Sequence, residues 1–90
     1  MEKGMPEFRA EIDALDKQIV QLLAKREKVV RSVGKYKSKH NIHPVDLARK
    51  AAVMEKYKQN AAGEGLNVDF AGELYELIYN YAIKIEETYR

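Results

Sequence analysis

The sequence predicts an all-helical fold of three helices, long, short and medium in length, in a single domain covering residues 1–90. In the first part of the chain, apolar residues recur at a spacing that averages 3.5 residues, which is typical of one long helix in a coiled coil. Proline and glycine residues then divide the remainder into two shorter helical segments, and no comparable strand pattern is present. We expect a second copy to complete the core, because a lone chain of this size buries a limited fraction of its surface.

The first helix is predicted to span about Pro6 to Lys39. Pro6 suits a first helical turn, acidic residues lie near the amino end, and basic residues precede the predicted carboxyl end. At about 1.5 Å per residue the helix is roughly 50 Å long, which is too long to pack within a compact monomer. Its apolar stripe, here called the seam, is expected to be the buried face. The seam consists of Phe8, Ile12, Leu15, Ile19, Leu22, Arg26, Val29, Val33 and Tyr36.

The two shorter helices follow a loop that contains Asn41 and Pro44. The second helix is predicted from about Asp46 to Gln59, because the segment at 61–65 contains two glycines. Its apolar contacts are expected to be Leu47, Val53, Met54 and Tyr57. Asp69 is the predicted N-cap of the third helix. The inner face of that helix is expected to be Phe70, Leu74, Leu77, Ile78, Tyr81 and Ile85.

Composition excludes several classes of function. The chain has 46% hydrophobic and 33% charged residues, as in globular proteins, and it lacks the cysteine that disulfides and thiol chemistry require. No apolar run approaches the roughly 18 residues of a membrane span and the first residues lack an apolar signal region, so we expect a cytoplasmic protein. The net charge of +2 is spread among interleaved acids and bases, which does not indicate a nucleic-acid surface.

No cofactor or metal is predicted. The sequence contains no glycine-rich phosphate loop and no nucleophile motif. His40 and His43 form a loop pair without further metal ligands nearby. We interpret the six tyrosines as amphipathic packing residues rather than as a platform for stacking bases.

Arg26 is the first candidate for a functional residue. A guanidinium that is always charged needs an anionic partner on a buried face, and no acidic residue lies on the seam. Lys37 follows about three helical turns later on nearly the same face, so the two side chains can converge on one pocket. Arg9 cannot join them within one chain. If two first helices pair antiparallel about a two-fold axis near Asp16 to Lys17, however, the partner's Arg9 comes opposite Arg26, and two identical basic pockets result.

Further candidates lie on the other two helices. Asp46, Arg49 and Lys50 share a face of the second helix, and Glu86 lies at the edge of the apolar stripe of the third. Plainer alternatives stay open at this point. The seam arginine could set the register or reach the surface, the helix-end lysine could be solvated, the aspartate could cap its helix, and the others could be ordinary surface residues.

Several short motifs resemble those of the all-helical class of chorismate mutases. They are RAEIDALD at 9–16, LLAKR at 22–26, VGKYK at 33–37, DLAR at 46–49, and Leu77-Ile78 followed at family spacing by Glu86. The resemblance covers about Phe8 to Glu87, and the motifs are fairly specific as a set although each is weak alone. It implies an intertwined homodimer that converts chorismate to prephenate without a cofactor, in the shikimate pathway toward phenylalanine and tyrosine.

The resemblance also implies roles for the cationic candidates. Arg26, Arg49 and the partner's Arg9 would clamp the two carboxylates of the substrate in a reactive conformation, which is a contribution of orientation. Lys37 would donate to the ether oxygen, where negative charge grows as the C–O bond breaks.

The remaining implied roles concern the substrate hydroxyl, the apolar walls and two positions that depart from the family pattern. Asp46 would bind the substrate hydroxyl, and Val33 and Ile83 would be apolar walls. Glu86 occupies the place of the second donor to the ether oxygen, where the family often has glutamine. Because an ionised carboxylate cannot donate a hydrogen bond, we expect Glu86 to work when protonated and activity to increase toward acidic pH. Lys50 stands where the family usually has glutamate, and it could face solvent, pair with Glu86 or reach a substrate carboxylate.

These departures leave rival interpretations. An isochorismate-pyruvate lyase resembles the mutases closely and also lacks the glutamate at the position of Lys50. A 4-amino-4-deoxychorismate mutase is less favoured, because Lys50 would repel the ammonium group of its substrate. A non-catalytic helical module for regulation or dimerisation is the rival from another class. Docking to another enzyme of the shikimate pathway also stays open.

Overall fold

The computed structural model describes residues 2–90 and consists of three helices, α1 (Met5–Lys39), α2 (Leu47–Glu64) and α3 (Val68–Glu87). Within those residues no strand is present, so the prediction of a three-helix, all-α fold is confirmed. α3 packs against both α1 and α2. The molecule measures 60 × 23 × 15 Å, because α1 extends well beyond the other two helices. No helix in the described part of the chain is both long and apolar enough to cross a membrane.

α1 begins and ends within one residue of its predicted limits. At its start the backbone N–H of Gly4 donates to Glu7 Oε2 at 3.0 Å. At its end Asn41 has a positive φ of 55°, and the N–H of Ile42 donates to the carbonyl of Lys37 at 2.8 Å. These two contacts satisfy backbone groups that a helix end leaves without partners.

The prediction that the seam is buried is wrong for the single chain. The buried residues of α1 are Val30 and Gly34, where α1 meets α3, and Arg26 is half-buried. The apolar seam residues are all exposed, and they are Phe8, Ile12, Leu15, Ile19, Leu22, Val29, Val33 and Tyr36. The physical reason is that α3 covers a short part of α1, on a different face.

α2 continues to Glu64, so its predicted end at Gln59 is wrong. Gly63 is accommodated inside the helix, where a glycine costs only about 1 kcal/mol relative to alanine. The helix stops at Gly65, which has a φ of 73°, and the N–H of Leu66 donates to the carbonyl of Ala61 at 2.8 Å. This is the Schellman arrangement, in which glycine takes the left-handed conformation that other residues avoid.

The predicted N-cap of α3 is also wrong. Asn67 caps the helix by accepting a hydrogen bond from the N–H of Phe70 at 2.9 Å, and Asp69 lies in the first turn. Asparagine and aspartate are about equally good N-caps, so the sequence alone did not distinguish the two positions.

The inner face of α3 differs from the predicted one. The buried residues are Ala71, Gly72, Tyr75, Ala82, Ile85 and Glu86, and of the predicted stripe only Ile85 is among them. Ile85 packs with Val30 and Ala82. Leu77 is 70% exposed, and on α2 the expected contact Leu47 is 71% exposed. Small side chains allow α3 to approach its neighbours closely, whereas its larger apolar side chains form a second face that the single chain leaves open.

Candidate functional site

A cavity of about 330 Å³ lies where the three helices and the loop before α2 meet. Seven of the residues to which the sequence analysis assigned a role in the site line this cavity, here called the three-helix cavity. They are Arg26, Val33, Lys37, Asp46, Arg49, Ile83 and Glu86. Residues from α1, α2 and α3 that are far apart in the chain are therefore brought to one place.

An ion pair joins α1 and α3 in the cavity wall. Lys37 Nζ lies 2.7 Å from Glu86 Oε1 and donates a hydrogen bond to the carbonyl of Pro44 at 2.8 Å. The Glu86 side chain is 8% exposed and that of Lys37 21%, so Lys37 is not a solvated helix-end lysine. The approach to Oε1 lacks hydrogen-bond geometry, and this buried oxygen accepts no hydrogen bond within residues 2–90. Its contact with the protein is therefore the ion pair with Lys37.

Asp46 both caps α2 and lines the cavity. Its Oδ1 accepts a hydrogen bond from the backbone N–H of Arg49 at 3.0 Å. The amino end of α2 thus lies at the cavity, and the positive end of the helix dipole favours a bound anion. The two interpretations of Asp46 made from the sequence are compatible, because the cap uses one carboxylate oxygen.

The electrostatics of the cavity favour an anionic ligand. Arg26, Lys37 and Arg49 supply three positive charges against the two carboxylates of Asp46 and Glu86. Burial raises the pKa of Tyr75, while the charges of Arg26 and Arg49 oppose that increase. Both guanidiniums therefore act on the Tyr75 hydroxyl, and both residues line the cavity.

Gly34 permits the close approach of α1 and α3 beside the ion pair. A Cβ atom at this position would lie 2.7 Å from Tyr89 Cδ2 and 3.0 Å from the Cα of Glu86. The glycine three residues before Lys37 is thus required by packing: a side chain there would displace the backbone that carries Glu86.

Arg9 does not line the three-helix cavity. It is exposed near the amino end of α1, as expected for a residue that cannot reach Arg26 within one chain. Its contribution across a subunit interface stays a prediction.

Lys50 takes none of the three positions considered from the sequence. Its Nζ is 2.8 Å from Glu76 Oε1 and 4.8 Å from the centroid of the Tyr79 ring. The hydrogen bond that Lys50 donates to Glu76 is the main reason why the pKa of Lys50 is raised. Lys50 does not line the cavity. Its positive charge is balanced by the carboxylate of Glu76.

Sequence reasoning missed the two tyrosines of the cavity wall. Tyr75 and Tyr79 line it together with Ile83 and Glu86. These positions follow one another at spacings of four, four and three residues, which places them on one face of α3. Counting back from Glu86 at helical spacing would have identified both.

A second, larger hollow is lined by residues of α1 and α3 and shares Arg26 and Val30 with the three-helix cavity. This hollow, here called the α1–α3 groove, has a volume of about 660 Å³, and its apolar lining includes Val20, Leu23, Leu74, Leu77 and Ile78. At the groove the Tyr81 hydroxyl donates to Glu27, and this hydrogen bond is the main reason why the pKa of Glu27 is lowered, followed by Arg31.

Comparison with known proteins identifies relatives along most of the chain. The family model described as chorismate mutase type II matches residues 8–87. A bifunctional chorismate mutase/prephenate dehydratase of Buchnera aphidicola subsp. Schizaphis graminum is 37% identical over 76 residues, which cover 84% of this chain and 20% of that protein. The T-protein of Haemophilus influenzae is 33% identical over 67 residues, or 74% of this chain and 18% of that protein. The chain thus spans about a fifth of the length of these two relatives.

A third relative is closer in length to this chain. The 4-amino-4-deoxychorismate mutase of Streptomyces venezuelae is 29% identical over 80 residues, which cover 89% of this chain and 78% of that protein.

Proposed function

The chain belongs to the type II chorismate mutase family, and we propose that it converts chorismate to prephenate in the three-helix cavity. The observation that supports this proposal most directly is the convergence of Arg26, Lys37 and Arg49 on one cavity with apolar walls. Chorismate carries two carboxylates, and its rearrangement is pericyclic. The protein therefore needs to supply orientation and charge rather than a nucleophile.

In this proposal the two guanidiniums hold the carboxylates of the substrate in its compact, reactive conformation, which converts binding energy into orientation. The ammonium of Lys37 faces the ether oxygen, and its attraction strengthens as negative charge grows there in the transition state. When Glu86 takes up a proton, which removes its ion pair with Lys37, its carboxyl group donates a hydrogen bond to the same oxygen. The oxygen of Asp46 that does not cap α2 accepts the hydrogen bond of the substrate hydroxyl.

We also propose that the chain acts as a homodimer in which the partner's Arg9 completes each site. The single chain exposes 7263 Å², whereas a compact protein of 10.4 kDa exposes about 5,400 Å². Its radius of gyration is 16.7 Å, against about 12 Å for a compact chain of this length. The excess surface includes the apolar seam, and an excess of this size is typical of an obligate dimer interface.

The test combines an assay with subunit mixing. The purified chain is expected to convert chorismate to prephenate, and Arg9→Ala and Arg26→Ala are each expected to be nearly inactive. When the two variants are unfolded together and refolded, half of the dimers combine one chain of each kind, and each of these has one intact site. About a quarter of the wild-type activity should therefore return.

Refolding each variant alone is the control, and it should restore nothing. A mixed sample that contains dimers but stays as inactive as its parents would contradict the contribution of Arg9 across the interface. A wild-type chain without turnover would contradict the proposed reaction and favour the non-catalytic module.

A second candidate substrate is 4-amino-4-deoxychorismate. A relative of similar length is named as a mutase of this compound. The argument against it was repulsion by Lys50, but Lys50 is paired with Glu76 and is not a lining residue of the cavity. Measuring kcat/KM for chorismate, 4-amino-4-deoxychorismate and isochorismate side by side separates the candidates, and salicylate with pyruvate would identify the lyase reaction. We expect chorismate to have the highest value.

A further inference from the structure

Tyr79 has a buried hydroxyl that makes no hydrogen bond within the described residues. The residue lines the three-helix cavity, and its Oη is buried without a hydrogen-bond partner in the described part of the chain. Buried hydroxyls are almost always hydrogen-bonded, because loss of hydration is otherwise uncompensated. Because Tyr79 is a lining residue of the cavity, a hydroxyl that the protein leaves without a partner points to a partner that arrives with the ligand.

The position of Tyr79 on α3 separates it from the ion pair at Glu86. The two residues are seven positions apart on one face of the helix, which is about two turns or roughly 10 Å. Between them lies Ile83, an apolar lining residue. A ligand that reaches from one residue to the other needs polar groups at both ends and an apolar middle.

Two guanidiniums act on the tyrosine next to Tyr79. The ring centroids of Tyr75 and Tyr79 are 6.1 Å apart, and the charges of Arg26 and Arg49 both influence the pKa of the Tyr75 hydroxyl. An acceptor that binds near these cations is most stable as an anion. Hydrogen bonds from a hydroxyl to a carboxylate oxygen are among the strong ones.

Lys50 and Glu76 hold the Tyr79 ring in place. The ammonium lies 4.8 Å from the ring centroid, and it is bound at 2.8 Å by Glu76, three residues before Tyr79 on α3. A cation fixed by an ion pair and placed against a ring restricts the ring, because the attraction depends on its position relative to the ring face. Lys50 thus connects α2 to the cavity wall without entering the cavity.

We propose that the Tyr79 hydroxyl donates a hydrogen bond to a carboxylate of the bound ligand and that Lys50 and Glu76 are positioning residues for it. The inference rests on the proposed function in taking the ligand to be a small dicarboxylic acid. It makes Tyr79 a determinant of specificity, because a cavity with a buried donor rejects an analogue that lacks the matching acceptor. Lys50, the departure from the family pattern, then acts through Tyr79.

The first experiment compares Tyr79→Phe with Tyr57→Phe. The ring centroids of Tyr57 and Tyr75 are 4.6 Å apart, but Tyr57 is not among the residues that line the cavity, so it is a matched control. Tyr79→Phe should lower kcat/KM for chorismate about 10- to 100-fold, mainly through KM, as expected for a lost hydrogen bond to a charged group. Its Tm without ligand should be unchanged or higher, because an unsatisfied hydroxyl has been removed. Tyr57→Phe should leave kcat/KM within about twofold.

The second experiment is a double-mutant cycle. Lys50→Met should lower kcat/KM in the wild-type background and have no further effect beside Tyr79→Phe, and Lys50→Arg should restore most of the loss. Additive effects would overturn the positioning role. Equal kcat/KM for wild type and Tyr79→Phe would overturn the hydrogen bond, and if Tyr79→Phe fails to fold, Tyr79→Leu, which also lacks the donor, is used for the same comparison.

Calorimetry with an oxabicyclic dicarboxylate that mimics the transition state separates this inference from the proposed function. If wild type binds the probe and Tyr79→Phe binds it at least tenfold more weakly while chorismate is not converted, the reaction is wrong and the hydrogen bond stands. If chorismate is converted but both proteins bind the probe equally, the hydrogen bond is wrong and the reaction stands. If wild type neither binds the probe nor converts chorismate, both are overturned.

Discussion

The α1–α3 groove and the three-helix cavity adjoin each other along α1, and Arg26 and Val30 contribute to both. The groove has about 660 Å³ and a mainly apolar lining, whereas the cavity has about 330 Å³ and contains five charged side chains. The larger hollow therefore does not mark the candidate site. Its apolar lining suits an apolar partner surface, whereas the smaller cavity concentrates positive charge.

The groove and the cavity differ in what would stabilise them. An open apolar groove is stabilised by another apolar surface, because the driving force is removal of that surface from water. A cavity lined by guanidiniums and an ammonium is stabilised by an anion, because buried charges need partners. We therefore expect substitutions in the groove to change association, and substitutions in the cavity to change turnover at constant association.

The largest effect is expected from a charge placed in the groove. Leu77→Glu should convert the proposed dimer into monomers and remove turnover, because burying a carboxylate without a partner costs several kcal/mol. Leu47→Glu is the control, since Leu47 is equally exposed at 71% but lies outside the groove. Sedimentation of both variants measures the effect, and a Leu77→Glu dimer would show that the groove is not the interface.

Arg26→Ala should lower kcat/KM about 10²- to 10³-fold. This is the usual cost of removing one hydrogen-bond donor that is aimed at a bound anion or at negative charge that develops in the transition state. Its Tm should be equal to or above that of wild type, because a cluster of like charges is relieved. Lys25→Ala changes an exposed cation one position earlier and should be neutral. A stable, dimeric Arg26→Ala chain with normal turnover would contradict the assignment of the cavity.

The protonation of Glu86 should be visible in the pH profile. Wild-type kcat/KM is expected to rise toward acidic pH and to fall by up to about tenfold per pH unit on the alkaline side, because a carboxylate must gain a proton before it can donate. Glu86→Gln carries a permanent donor, so its profile should be flat over that range. Identical profiles for the two proteins would show that Glu86 does not supply the proton.

Two glycine substitutions compare the cavity wall with open helix surface. Gly34→Ala should destabilise the chain by about 1–3 kcal/mol and reduce turnover, because the new methyl group would overlap Tyr89 and displace Glu86. Gly63→Ala should stabilise it by about 0.5–1 kcal/mol, since nothing lies within 4 Å of the added Cβ. Denaturant unfolding measures both, and a stable, fully active Gly34→Ala chain would contradict the packing argument.

The smallest effect is expected at the groove, from Tyr81→Phe. The hydrogen bond from Tyr81 is the main cause of the lowered pKa of Glu27. A carboxyl whose pKa is lowered on folding contributes stability above its unfolded pKa of about 4.3, and loses that contribution as the pH falls through its folded value. The Tm of the variant should therefore be slightly lower than that of wild type at pH 7 and converge with it in acid. A Tm difference that does not change with pH would show that the hydrogen bond from Tyr81 does not act through the pKa of Glu27.

Much of the fold could be predicted from local signals. Prolines, glycines and the 3.5-residue apolar spacing located three helices, and the limits of α1 were correct within one residue. The errors at Gln59 and Asp69 arose where two signals of similar strength competed. One was a glycine tolerated inside α2, and the other was a pair of possible capping residues, Asn67 and Asp69, at the start of α3. Such choices differ by about 1 kcal/mol, which tertiary packing readily outweighs.

For the candidate site, the sequence by itself determined which residues carry charge and which share a helix face, because both follow from residue type and the 3.6-residue period. It identified Arg26 and Lys37 as residues of one surface for this reason. Only the tertiary structure decided that Glu86 pairs with Lys37, that Lys50 pairs with Glu76, and that Tyr79 lines the cavity. Those facts depend on how α3 is rotated against α1 and α2, and small residues such as Gly34 and Ala82 fix that rotation through contacts between distant parts of the chain.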